Sequence, residues 1–138
     1  MIQFADTEQV LKAWLPTTTV GPLIRRTDGG YSVFMAMPAA SPLPAVIITQ
    51  IAGGPDAAKD LPQQTVRVQF DCWGKSRQQA GDIARALMAE LEWVPRNGGA
   101  IVQGAYLGAC AVQMMRWLPD PDSDTPRYIV DALITTVL

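Results

Sequence analysis

The chain contains no histidine. That removes the commonest general base and the commonest metal ligand. Cysteine is scarce: Cys72 and Cys110 are the only two, far apart in apolar segments and without a C-x-x-C or Cys/His spacing. A zinc site is therefore not expected, and no histidine is present to activate either thiol as a nucleophile. The two read as small buried hydrophobes that need no disulfide. Charge is also sparse, 17% of residues, and slightly acidic, with Lys plus Arg 11 against Asp plus Glu 13 and a net charge of −2. A basic nucleic-acid binder is not the default for such a chain. No apolar run approaches the ~20 residues of a membrane helix. Met1–Glu8 carries Asp6 and Glu8 and no basic stretch, so it does not read as a signal peptide, and synthesis in the cytosol is expected.

What the chain has is apolar mass. Hydrophobic residues make up 49% of its 138 positions, enough for one real core and too few residues for two comfortable ones. A single α+β domain over 1–138 is expected. Asp6–Leu15 predicts a short helix, capped by Asp6 with Gln9 three residues on, with Val10, Leu11, Trp14 and Leu15 on one face and Pro16 as its stop. Leu23–Met37 predicts a β-hairpin: Leu23–Arg26 meets Tyr31–Met35 across Thr27-Asp28-Gly29-Gly30. Pro38, Pro42 and Pro44 make an extended connector. Ala45–Ile51 is a strand ended by Gly53-Gly54-Pro55, and Asp56–Gln64 is a polar loop with room for one helical turn.

The clearest alternation is Val66–Trp73, where Val66, Val68, Phe70 and Cys72 oppose Arg67, Gln69, Asp71 and Trp73. The best helix follows, Ser76 to about Trp93. Ser76 and Gln79 form its capping box, and Ala80, Ile83, Ala84, Leu87, Met88 and Leu91 its apolar stripe. Gly81 within it hints at close backbone packing. Pro95–Gly99 is a turn, and Ile101–Gln103 a short strand. Cys110–Leu118 and Tyr128–Leu138 are strands, separated by the acidic, proline-bounded loop Pro119–Pro126.

This order argues for an antiparallel or mixed sheet with two helices packed on one face and a projecting β-hairpin. Ala45–Ile51, Cys110–Leu118 and Tyr128–Leu138 look apolar on both sides, and such strands expect cover on both sides. Two arrangements supply it: a neighbouring subunit lies over part of the sheet, or the hairpin and proline connector fold over it.

Sites with chemistry are thin. Asp120, Asp122 and Asp124 form a D-x-D-x-D run, but Thr125 stands where a calcium loop needs Gly, position twelve is Asp131, and the flanks are strands; the run reads as a solvated acidic turn. Asp71 is a lone strand carboxylate, suited to a salt bridge or an interface rather than to acid–base work. Gly53-Gly54 and Gly98-Gly99 lack the spacing of a phosphate cradle. Arg25-Arg26 is the one basic doublet, a weak electrostatic footprint. No catalytic, metal or cofactor residue is assigned. Arg25, Arg26, Asp71, Trp73, Asp120, Asp122, Asp124 and Arg127 are candidates for an interface.

Several stretches are familiar in combination: Val66-Arg67-Val68-Gln69-Phe70-Asp71-Cys72-Trp73-Gly74, then Ser76-Arg77-Gln78-Gln79-Ala80 and Leu87-Met88-Ala89-Glu90-Leu91. With them come Pro42-Leu43-Pro44-Ala45-Val46-Ile47-Ile48 before Gly53-Gly54, and the closing Asp124-Thr125-Pro126-Arg127-Tyr128-Ile129-Val130-Asp131. Together they resemble the tail terminator (tail completion) proteins of long-tailed phages, especially those of actinobacterial hosts, over about Phe4 to Val137. The resemblance implies a small α+β subunit that assembles into a hexameric ring in the virion, at the tail–neck junction. Such a ring sits on the last ring of the major tail tube protein, stops tube growth and offers the surface that a head-completion or neck protein joins. Genomic DNA passes through its lumen. The resemblance carries no catalytic residues, no cofactor and no membrane. For such an assembly the extended segments Arg25–Tyr31, Ser41–Pro44, Asp56–Gln64 and Pro119–Arg127 are places for ring-to-ring contacts, because loops carry variable recognition. Other neck connectors, of head-closure or stopper type, look similar. Apart from the resemblance, a small host ligand-binding domain is the competing reading, and it requires an apolar pocket with converging polar groups.

Overall fold

In a computed structural model, residues 3–38, 42–55 and 62–138 are described. Helix α1, Thr7–Trp14, is capped by Asp6, whose carboxylate accepts the Gln9 amide. Its chain continues through a 3-10 turn, Leu15–Thr17, which holds Pro16, and a second one at Gly21–Leu23. Helix α2, Arg77–Arg96, starts where Ser76 accepts the Gln79 amide and runs through Pro95 in its last turn. The strands are β1, Val33–Phe34; β2, Ala45–Pro55; β3, Gln63–Trp73; β4, Ala100–Val102; β5, Ala105–Trp117; and β6, Arg127–Val137. They form one six-stranded sheet in the order β1-β2-β3-β6-β5-β4. Only β1 with β2 is parallel, so the fold is α+β with a mixed sheet, as the alternation of strands and helices implies.

Both helices lie on the same face of that sheet. Leu11, Trp14 and Leu15 join Ile83, Ala84, Leu87, Leu91 and Val94 in a core with Val46, Ile48, Val66, Val68, Phe70, Cys72, Leu107, Cys110, Val130, Ala132 and Ile134. These are the inward positions of the alternation. Fully burying each large apolar side chain is worth roughly 1.5–3 kcal/mol before entropy. At the start of α2 the Arg77 guanidinium stacks 4.6 Å over Trp117, which meets Tyr128 at 5.1 Å. Close packing at Gly81 is real: a Cβ there would lie 3.3 Å from the Tyr128 ring.

Several expected bounds move. The hairpin over Leu23–Met37 contracts to the single bridge Arg25↔Tyr31 around a turn in which the Arg26 amide donates to Gly30 O. Leu23 turns away into a 3-10 helix, and Val33–Phe34 leaves the hairpin to pair in parallel with Val46–Ile47. β2 does not stop at Ile51. A bulge there and a positive φ of 107° at Gly53 carry it on to Pro55, paired with β3 as far as Gln64. Gln63 and Gln64 are therefore strand rather than loop, and positions 56–61 of the loop expected over Asp56–Gln64 lie outside the described residues. β5 begins five residues early, at Ala105 rather than Cys110, because a two-residue turn at Gln103 and Gly104, both with positive φ, folds it back on β4.

Candidate functional site

The sheet has a second face, and its register places the residues in rows. Ile101, Tyr106, Val137 and Gln63 are adjacent; so are Ala109, Thr135 and Thr65; then Ala111, Leu133, Arg67 and Ala52; then Met114, Asp131, Gln69 and Thr49; then Arg116, Ile129, Asp71 and Ile47; and last Arg127, Trp73 and Ala45. Among the described residues no helix covers this side. Even so, its two ends differ.

The end near Trp73 is closed by the chain itself. Ile129, Ile47 and Ala45 are buried there, at 3%, 7% and 0% exposure. The proline connector and the acidic loop meet over it: Leu43 and Met37 from one side and Asp120, Ser123 and Thr125 from the other line a cleft of about 390 Å³ together with Trp73. Beneath them runs a polar cluster. Arg127 reaches Asp71 at 3.5 Å and stacks 4.6 Å over the Trp73 ring, and Gln69 donates to the other Asp71 oxygen at 2.7 Å. The Trp73 indole N–H is buried and has no partner among the described residues. The idea that the proline connector folds over this face is thus correct for one end only, and the hairpin turn is not among the residues lining that cleft.

The opposite end is bare. Ile101 is 81% exposed, and Tyr106, Met114 and Leu133 are 41%, 40% and 36% exposed. Ala109, Ala111 and Arg116 are exposed beside them. β4 pairs with β5 only at Ala105–Leu107, so from Ala109 to Trp117 that strand has β6 on one side and no described strand on the other. Arg67 bridges to Asp131 at 3.2 Å in the middle of the face.

The candidate interface residues fall into three groups. Asp71, Trp73 and Arg127 are brought together as described. Asp120 lines the same cleft; it holds its loop by accepting from the Asp122 amide at 2.9 Å and the Ser123 hydroxyl at 3.0 Å, and these two bonds, the first foremost, keep its carboxyl below the ordinary value. Asp122 and Asp124 are exposed on that loop. Among the described residues no cluster of His, Cys, Asp or Glu is placed to hold a metal ion. Arg25 and Arg26 stand apart, lining a separate cleft with Thr27 and Asp28, and Arg26 is engaged by Asp28 at 3.3 Å and by the Phe34 ring. Both cysteines are buried, and burial pushes the Cys110 thiol up to about 12 and Cys72 higher still. A nucleophilic thiolate is unavailable at either.

Met114, Leu133, Arg67 and Arg116 are missing from the interface candidates. The signal for Leu133 was in the alternation of β6, which places it opposite the core positions Val130 and Ile134. Met114 and Arg116 change face only through the bulge between Val112 and Met114, which spacing alone does not reveal.

Among the described residues no helix is long and apolar enough to cross a membrane. No curated protein sequence matches the chain. Among solved structures, a chain of the virion of a native gene transfer agent (GTA) particle is similar in fold, with a TM-score of 0.56 and 13% identity over 87% of this chain and 85% of that one. The sequence model of one family, Tail completion protein gp17, matches residues 9–136, nearly the whole fold from α1 to the end of β6. A chain with a core-sealed helix face, a half-bare sheet face and a match of that extent belongs to the tail completion protein gp17 family and is a phage tail structural protein.

Proposed function

We propose that this protein is a tail terminator. Six copies form a ring that caps the last ring of major tail tube protein, stops tube growth and presents the surface that a head-completion or neck protein joins. The chain acts as one domain and does so without catalysis, at the tail–neck junction of the virion, after synthesis in the host cytoplasm. Genomic DNA passes through the lumen without sequence-specific binding.

The observation that carries this reading is the bare half of the sheet face, with Ile101, Tyr106, Met114 and Leu133 exposed together on adjoining strands. Apolar surface of that kind, continuous with an unpaired strand edge, marks a protein–protein contact. A ring gives every subunit two heterologous neighbours to supply that contact. The net charge of −2 suits a conduit that must let phosphate pass, because gripping DNA needs cations. The exposed tip of the acidic loop at Asp122 and Asp124 and the Arg25–Asp28 turn are loop segments suited to contacts with adjoining rings.

The test mixes purified protein with tube protein and with neck protein, followed by light scattering and electron microscopy. Rings of six that cap tube ends and halt elongation are expected. Binding to the neck protein alone would replace this reading with that of a head-closure connector, and a monomer indifferent to both would overturn it.

A further inference from the structure

The bare half of the sheet face and the outer surface of α2 point in opposite directions, because the apolar stripe of α2 is spent on the other side of the same sheet. Each carries something the other lacks. On the sheet face the carboxylates are already used: Asp131 is taken by Arg67, and Asp71 by Arg127. What remains at the surface is Arg116, exposed and without an anionic partner among the described residues. On the outer surface of α2, Asp82 is paired with Arg85 and Glu90 accepts from Thr19. Glu92 is exposed and makes no ion pair with a described residue, Arg96 one turn on included, and beside it Trp93 is 59% exposed.

We propose that the bare sheet face receives the outer surface of α2 from a second copy of this chain. Trp93 of the second copy packs over Ala109 and Ala111, and its Glu92 meets Arg116. The two alanines make a low spot between the larger Tyr106, Met114 and Leu133, which suits a flat indole. Aromatic side chains seated in such spots carry much of the energy of protein interfaces. The charge match fixes register and opposes other partners. Sheet face and helix face differ, so the contact is heterologous, and each copy uses both surfaces. Repetition then closes a ring or propagates a filament. A chain cannot satisfy its own sheet face in this way, because its α2 is on the far side. This rests on the ring reading above and names which surfaces meet.

The experiment measures the self-association of the full chain by sedimentation across a concentration series, for the wild type, Trp93→Ala, Arg116→Glu, Glu92→Arg and the double reversal Glu92→Arg/Arg116→Glu. Trp93→Ala is expected to weaken association about 30-fold. Either single reversal is expected to weaken it at least ~10-fold, and the double reversal to recover most of the loss. All three side chains are exposed and none holds the core, so the urea midpoint should stay near that of the wild type; Arg116→Gln replaces any variant that fails this control. A wild type that assembles with all variants unchanged, or reversals that do not rescue each other, overturns this contact and leaves the ring reading standing. A wild type that never assembles, alone or on tube ends, overturns both.

Discussion

Asp131 occupies a demanding position. It is 6% exposed on a face that no helix among the described residues covers. One carboxylate oxygen accepts from Arg67, and the other is buried without a partner among the described residues. A buried carboxylate depends on its cation, and removing one partner of a buried pair costs about 3–5 kcal/mol. Arg67 is itself 47% exposed, which screens part of that. Arg67→Met is therefore expected to lower stability by roughly 1–3 kcal/mol. Adding Asp131→Asn removes the stranded charge and should restore more than half of the loss. Urea titrations of the single and double variants decide it, and a double variant weaker than Arg67→Met would show that the amide is no better tolerated than the carboxylate. Spacing gave Asp131 its strand but not its burial. A mid-strand acid reads as solvent-facing until the neighbouring strand supplies an arginine at the right diagonal.

At the scale of elements, caps and stripes were legible, and edges were not. Asp6 and Ser76 cap the two helices through the bonds their spacing implies, and the apolar stripe of α2 is the one that enters the core. The strands ran long or shifted where glycine and proline argue against β structure. Gly53-Gly54-Pro55 has poor intrinsic propensity, yet β3 pairs with it, and tertiary pairing wins. A Cβ at Gly53 would lie 2.5 Å from Thr65 O, so glycine is what lets the two backbones close there. The free edge of β2 shows how a helix can manage a sheet. Amides on one side of a strand recur every second residue: the Val46 amide meets Ser32 O at 2.9 Å, and the Gln50 amide meets a Glu8 carboxylate oxygen of α1 at 2.9 Å. Glu8→Ala should cost about 1 kcal/mol, the worth of a charged acceptor on an exposed edge, and should speed hydrogen exchange at the Gln50 amide by roughly the same free energy. Exchange unchanged at Gln50 while stability falls would assign the role of Glu8 to helix capping instead.

Across the whole molecule, one sheet face is sealed by two helices, and the other is divided between self-cover and bareness. Sequence arithmetic found the surplus of two-faced strands but not the dividing line, because the line is drawn by loops: the proline connector and the acidic turn converge on Trp73 only in three dimensions. The division makes a sharp demand of residues that alternation treats alike. Ile129 and Leu133 both point outward from β6, four positions apart, at 3% and 36% exposure. Ile129→Ala opens a void beneath the acidic loop and should cost about 2–4 kcal/mol in the isolated subunit. Leu133→Ser gives up a side chain about a third of which is already in water and should cost about 1 kcal/mol or less. Assembly should reverse the ranking. Leu133→Ser removes the rim of the spot that receives the neighbouring helix and weakens association, whereas Ile129→Ala acts on association only through the fold. Denaturation midpoints and sedimentation on the same two variants measure both quantities. Equal costs in the monomer would mean that the loop closes over the entire face in solution, and a subunit closed in that way would have no bare surface left to offer a neighbour.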